Sequence, residues 1–395
     1  MKKNGLPFKK PNSQRGLLTS VLMAAASVFG LVGCQSDVKQ TEAVLNSQSG
    51  IAITLENDDT SEIKKVNDAS NIIVDKEAGN LYYFFKDGET VNLSSVGDID
   101  GITSVNISPL EDNYNFDKII GFDESQNTNN VTTLSVSGGV LNDFSFLDSF
   151  GSVTDLSFSS CNINAVSSEY SLTDVKRLSL KNCCVNETSV INKMYNLAGV
   201  TVEDCEIDNI DFLSNMHDLT YIYFANTPIK NIPYLTLRDT DDGINDHRHI
   251  YFQNCGEIDI SGLSGLKNSK WIIFKIVLGD NVIHDFSPLA ELPYIYELDL
   301  SGTAGSDFST LKGVSSHTIW LDDCNLSDIG FLSHNKVGTL SLSNNNIYDW
   351  STLLDVDGLR WCWTFDNPVI MPDNKEEFEE KEIFLADSNK WAYPY

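Results

Sequence analysis

Four aspartates, Asp239, Asp241, Asp242 and Asp246, crowd into the stretch RDTDDGINDHRH, Arg238 to His249. Carboxylates at that spacing could furnish oxygen ligands to Ca²⁺. The order falls short of a D-x-D-x-D-G calcium loop, because Gly243 comes one position too early and no distal Glu follows. A solvated acidic loop is the plainer reading, so no metal and no cofactor is assigned. The six histidines, His217, His247, His249, His284, His317 and His334, stand beside no Ser or Cys in a nucleophile motif. There is no G-x-S-x-G, no H-E-x-x-H and no Walker-type phosphate loop. None of the cysteines forms a C-x-x-C pair or a Cys/His cluster suited to zinc. These absences predict a protein that is not an enzyme. What remains is a set of rings, Tyr221, Tyr223, His249, Tyr251, Trp320, Trp361 and Trp363, of the amphipathic kind that dominates binding surfaces. They can act together only if the chain sets them on one face.

A repeating frame supplies that face. With Leu340 as a phase marker, equivalent positions fall at Ile319, Leu298, Ile276, Ile250, Ile222, Val200, Leu178, Leu156 and Leu134, and one step forward lands on Cys362. Most steps are 21 or 22 residues; two are longer, at 28 (Ile222 to Ile250) and 26 (Ile250 to Ile276). A fixed period of this size marks a solenoid of stacked units. Columns three before, two after, seven after and thirteen after the marker are apolar in nearly every repeat. Glu257 breaks the column seven after the marker, and Thr188 and Glu169 interrupt the opposite side, which predicts local bulges and one sizeable loop.

The column five after the marker reads Gly139, Cys161, Cys183, Cys205, Thr227, Cys255, Asn281, Thr303, Cys324, Asn345, Asn367. Where a coil turns sharply after a short strand, backbone groups lose their ladder partners, and burying one unpaired costs about 1–3 kcal/mol. An inward Asn, Cys or Thr can bond them from inside. Asn345 is therefore expected to be buried, with Asn344 and Asn346 solvated. The thiols of this column, and Cys362 at a marker position, are expected to be free and inward, leaving Cys184 to point elsewhere.

The pattern L-x-x-L-x-L-x-x-N/C-x-L is that of leucine-rich repeats. The stretches LDLSGTAGSDFSTL, IWLDDCNLSDIGFL and LSLSNNNIYDWSTL resemble the short bacterial repeats of the internalin type. In that family an Asp often precedes the apolar residue on the convex side, as Asp285, Asp307, Asp328 and Asp349 do here. The resemblance implies a horseshoe of about eleven repeats over 131–370, with short parallel strands on the concave face. Fold class is thus an α/β-type repeat solenoid with a small β-rich N-terminal module.

Residues alternate faces along a strand, so those flanking the marker point outward. Read along the stack, the first four outward pairs are small and polar. The next two carry Tyr221/Tyr223 and His249/Tyr251, and later ones carry Trp320 and Trp361/Trp363. Strand propensity alone also favours such rings, and a C-terminal cap could cover the last pair.

The ends and the charge bound the setting. A basic segment to Arg15 precedes the apolar run GLLTSVLMAAASVFGLVG, the layout of a signal peptide over 1–33. It ends in Leu31-Val32-Gly33-Cys34, which resembles the bacterial lipobox and implies cleavage before Cys34 and its lipidation. An uncleaved anchor helix is the alternative. Gln35 after that cysteine resembles the outer-membrane class of Gram-negative lipoproteins. Residues 34–50 read as a flexible tether. Residues 51–130 read as a small β-rich module capping the first repeat, with KEAGN and KDGE as hairpin turns. Residues 371–395 read as a C-terminal cap or tail. The net charge of −29 repels nucleic acid and anionic headgroups, so no nucleic acid partner is expected and contact with a membrane comes only through the lipid.

Together these features predict a lipid-anchored protein of the bacterial cell envelope, on the outer membrane if Gram-negative, that binds a protein partner through its concave face. A glycan-binding role, in which rings stack on sugars, and a purely structural envelope role are the alternatives. Cys34→Ala is expected to leave unprocessed precursor without lipid. Mass spectrometry of the wild-type mature N-terminus checks this: an unacylated N-terminus beyond Cys34 contradicts it.

Overall fold

The period in the sequence becomes a ladder of parallel strands. A computed structural model describes residues 42–45, 51–54, 72–111, 114–164, 172–238, 248–268, 273–369 and 374–386. Residues 1–33, Cys34 and the aspartates of the 239–247 stretch lie outside them. Among the described residues no helix is long and apolar enough to cross a membrane. The chain divides into two compact units, one comprising 1–153 and 157–162, the other 154–156 and 163–395.

In the first unit, Ile72–Asp75 pairs antiparallel with Asn80–Phe85. Asn80–Phe85 then pairs in parallel with Ser104–Pro109, and that strand with Thr133–Ser137. Leu81, Val105 and Leu134 stand opposite one another and are fully buried. Within this unit two parallel rungs, at Leu81 and Val105, precede the first one that the sequence period marks, at steps of 24 and 29 residues and with less regular columns, so the β-rich N-terminal segment continues the strand pattern up to Leu134. The KEAGN turn does join an antiparallel pair. The KDGE turn does not: it is a coil corner leading to Thr90–Asn92, which pairs in parallel with Lys118–Ile120. Further towards the N-terminus Glu42–Leu45 pairs antiparallel with Ile51–Thr54.

In the second unit, Arg177–Lys181, Gly199–Glu203, Tyr221–Ala225, His249–Gln253, Ile273–Val277, Ile295–Asp299, Ser315–Trp320, Lys336–Ser341 and Trp361–Trp363 follow in parallel register. Each marker faces the next, Leu178 opposite Val200 through Leu340 opposite Cys362. Their side chains form a continuous core, each fully buried aliphatic group worth about 1.5–3 kcal/mol. The C-terminal segment adds one more rung: helix Lys375–Glu380 buries Phe378, and Phe384–Ala386 pairs in parallel with Trp361–Trp363. Parallel strands in every rung, an apolar marker column and an inward polar corner define a leucine-rich-repeat solenoid.

The corner column is buried and bonded as its chemistry requires. Asn345 Oδ1 accepts from the backbone N–H groups of Cys324 (3.1 Å) and Leu326 (2.9 Å), and its Nδ2 donates to the carbonyls of Leu321, Leu342 and Ser343. Asn281 and Asn367 repeat the arrangement. The Cys205 sulfur accepts from Cys183 N at 3.3 Å and donates to Glu203 O at 3.2 Å. Thr227 does the same for Cys205 and Ala225. Among the described residues all seven cysteines are free, six of them buried and Cys184 only partly so. Burial pushes the Cys255 and Cys324 thiols up to about 11, so they stay protonated donors. Gly139 heads the column without a side chain because the Phe116 ring occupies the space a Cβ would need.

One position earlier lies a second column that alternation alone does not reveal. Gly138, Ser160, Asn182, Asp204, Asn226, Asn254, Asp280, Gly302, Asp323, Asn344 and Asp366 all have positive φ, between 50° and 76°. Gly, Asn and Asp tolerate that left-handed backbone best. Asn344 is thus exposed, as expected, yet bonded: its Nδ2 donates to Asp323 Oδ1. On the opposite side Asp285, Asp307, Asp328 and Asp349 each accept from the backbone N–H two residues on, opening the short helical turns. Glu257 marks the expected bulge. Gly256 at φ 96° accompanies an exposed Glu257, and Ile258 is the buried residue instead.

Replacing Asn345 by Ala strands two backbone donors inside the coil and is expected to destabilise the protein by at least about 2–3 kcal/mol. Cys205→Ala should cost about 1–3 kcal/mol, and Cys184→Ala little. Urea melts compare the three, and thiol titration should leave most sulfurs unreactive until denaturation. Rapid native labelling of five or more contradicts the buried column.

Candidate functional site

The strands that carry the rings owe their phase to the core. In Tyr221–Ala225 and His249–Gln253, Ile222, Phe224, Ile250 and Phe252 are buried. Alternation therefore turns Tyr221, Tyr223, His249 and Tyr251 to the other face. The rungs pair Tyr221 with His249 and Tyr223 with Tyr251. The four rings form one cluster. Tyr221 and Tyr223 stack at 6.2 Å between centroids, His249 and Tyr251 at 6.1 Å, and Tyr223 meets Tyr251 at 5.7 Å. His249 Nδ1 lies 3.2 Å from the Tyr251 hydroxyl. Tyr221 is 39% exposed, and the other three are half-buried. Burial raises the Tyr221 and Tyr251 phenols above their ordinary value, aided by neighbouring phenols and, for Tyr251, by Glu297. Both stay neutral hydrogen-bond donors.

The tryptophans form a second group. The planes of Trp320 and Trp363 stack at 5.3 Å although a whole rung separates them. The intervening residue at that position is Ser341, 1% exposed. Its small side chain leaves the gap the two indoles close. Ser341 Oγ donates to Asp322 Oδ1 at 2.6 Å, and the backbone N–H of Ser343 donates to the same oxygen at 2.7 Å. Desolvation raises the Asp322 carboxyl above its usual range despite those two bonds. Trp361 packs against Phe384 of the last strand at 5.6 Å, and Phe384 is 60% exposed. The final pair is thus flanked by an added rung and remains half open.

Between the two groups the face is charged. Lys275 Nζ bonds Glu297 Oε1 at 2.6 Å, and Val277 is buried. The sequence-predicted residues therefore make two clusters and not one surface. The candidate calcium ligands Asp239, Asp241, Asp242 and Asp246 lie outside the described residues. Among the described residues no three His, Cys, Asp or Glu side chains are placed to hold a metal.

Two features escaped strict alternation. Tyr296 and His317 stack at 4.9 Å, two residues before their markers. Tyr296 is exposed next to buried Ile295, because the strand departs from simple alternation there. Beside the tyrosines lies a depression of about 410 Å³ lined by Glu203, Tyr223, Ala225, Asn226, Gln253, Asn254 and Asp280. Most of its polar lining comes from positions three and four after the marker, where the recurrent Asn and Asp were the available signal.

No family model matches the chain, and no curated protein does. A solved internalin (inlF) from Listeria monocytogenes is similar over 80% of this chain and 88% of its own, with 18% identity and a TM-score of 0.41. The fold assignment rests on the strand register and corner columns themselves.

Asp322→Asn tests the tryptophan floor. Asparagine keeps an oxygen for Ser341 and Ser343 and removes a poorly solvated charge. A carboxyl whose folded pKa is raised gains stability as pH falls through that value, because the folded state then binds the extra proton. The Asn variant is therefore expected to match or exceed wild-type stability at pH 7. Its advantage should shrink as pH falls through the raised Asp322 value towards 3.8, the ordinary carboxyl value. Urea denaturation at pH 7 and pH 4 measures both gaps.

Proposed function

We propose that this protein is a non-enzymatic binding module of the bacterial cell envelope, held by lipid on Cys34, that engages a protein partner through the aromatic face of its sheet. The observation that carries the reading is the cluster Tyr221, Tyr223, His249 and Tyr251. Its rungs already fill their core positions with Ile222, Phe224, Ile250 and Phe252, so the fold does not require rings on the other side. Tyrosine offers much contact area with few rotatable bonds, so ordering it on binding costs little entropy. The regular strand spacing of about 4.8 Å holds the rings in a fixed array, which lowers the cost further. Trp320, Trp361 and Trp363 offer a second, separate aromatic contact on the C-terminal rungs, beyond the Lys275–Glu297 pair. Stacked rings beside exposed amides also favour a glycan as the second reading.

Substituting Tyr221, Tyr223 and Tyr251 together by Ser is expected to leave the melting temperature nearly unchanged. The same change should weaken capture of a surface-protein partner by at least about tenfold, or about 1.4 kcal/mol. A triple change to Ala at Ser135, Ser157 and Ser179, on the polar early rungs, should do little. The assay uses the soluble 35–395 fragment against purified surface proteins and, in parallel, a glycan array. Retention of protein binding by the tyrosine variant overturns the proposed surface, and binding to the glycans alone selects the second reading.

A further inference from the structure

The depression beside the tyrosines has a chemistry of its own. Its lining contributes two carboxylates, Glu203 and Asp280, one phenol ring, Tyr223, and three carboxamides, Asn226, Gln253 and Asn254, with no cationic side chain. The carboxamides direct donors to their neighbours. Asn254 Nδ2 donates to Asn226 Oδ1 at 2.8 Å, Asn226 Nδ2 to Asp204 Oδ1 at 2.9 Å, and Gln253 Nε2 to Asp280 Oδ2 at 3.2 Å. The backbone N–H groups of Asn226, Asn254 and Asp280 are also engaged, each with a carbonyl of the next rung. Acceptors are left over: Asn254 Oδ1, Gln253 Oε1 and carboxylate lone pairs. The three loop residues Asn226, Asn254 and Asp280 sit at φ 50°, 51° and 59°. Gly302, at φ 73°, leaves the space in which Asp280 Oδ1 lies, so any side chain there would collide with it.

A donor-rich, planar, cationic group matches such a site. Guanidinium carries five N–H donors in one plane and no acceptor, and it stacks on aromatic faces. We propose that the depression receives an arginine side chain of the protein partner, whose guanidinium lies against the Tyr223 ring and donates to Glu203, Asp280 and the Gln253 and Asn254 oxygens. This rests on the partner-binding reading above and specifies its chemistry. Lys181 on the neighbouring rung already pairs with Glu203 at 2.9 Å, so a guanidinium shares that carboxylate with a resident ammonium, and Asp280, which accepts from the neutral Gln253 amide, is its principal carboxylate. Charge-assisted bonds of this type are about twice as strong as neutral ones, and a cation over a ring adds to them.

The probes are a fluorescein-labelled tetra-arginine peptide and its tetra-citrulline counterpart, which keeps the shape and loses the charge. Anisotropy should show binding of the first and not the second. Glu203→Gln combined with Asp280→Asn should weaken tetra-arginine binding at least fivefold. Glu206→Gln combined with Asp208→Asn, both exposed and outside the lining of the depression, removes equal charge and should change it less than twofold. Gln253→Lys places a resident cation at an exposed strand position and should weaken binding as strongly, which covers the case in which the first double variant folds poorly. Equal losses in the two double variants would mean diffuse attraction to an acidic surface and overturn the proposal. So would unchanged binding in the first, or citrulline binding as well as arginine. If these tests fail while the tyrosine triple variant still loses its protein partner, only the arginine specificity falls; the binding face fails on its own assay.

Discussion

Each coil must turn its backbone through a corner after the strand, and the groups at that corner have no partner on their own rung. Everything else in the molecule depends on how they are satisfied. Asn345 meets five of them with one carboxamide. The cysteines act through a weaker donor, as Cys205 does in accepting from Cys183 N and donating to Glu203 O. The preceding left-handed residue sets the direction of the turn. With corner and turn both prescribed, the strands that follow are held in register, so a given offset from the marker always faces the same way.

That regularity makes a sheet face into an address system. Lateral position is decided by the offset from the marker, and position along the stack by the repeat. The tyrosine cluster arises because two consecutive rungs carry rings at the same two offsets. The tryptophan stack arises differently: two rings at one offset skip a rung and close over Ser341. A larger residue there would separate them, so the smallest side chain of the group decides its geometry. The polar depression follows from the left-handed column, whose Asn and Asp residues are present for backbone reasons and bond one another along the stack. A structural requirement thus produces a row of acceptors beside the rings.

Much of this was legible in the residues. The marker column, the buried corner column and the outward phase of Tyr221, Tyr223, His249, Tyr251, Trp320, Trp361 and Trp363 all follow from a period and from alternation, which are local rules. The two rungs around Leu81 and Val105 were not legible, because their spacing departs from the later period and their columns carry Tyr and Phe among the aliphatics. The exposed Tyr296–His317 pair was missed because alternation fails in the first residues of its strand.

The sequence by itself determined which residues are core and which side of the strand each ring occupies, since both depend only on spacing within a repeat. Tertiary structure alone decided which rings touch. That depends on the size of the residues between them and on distances between rungs, so Trp320 meets Trp363 across Ser341, while Lys275 and Glu297 part the tyrosines from the tryptophans. It likewise decided where hydrogen-bonding capacity is spent and where it is left over. An amide's donor goes to whichever oxygen a neighbouring coil brings within reach, and only the stacked coils place Glu203, Gln253, Asn254 and Asp280 around one hollow beside Tyr223.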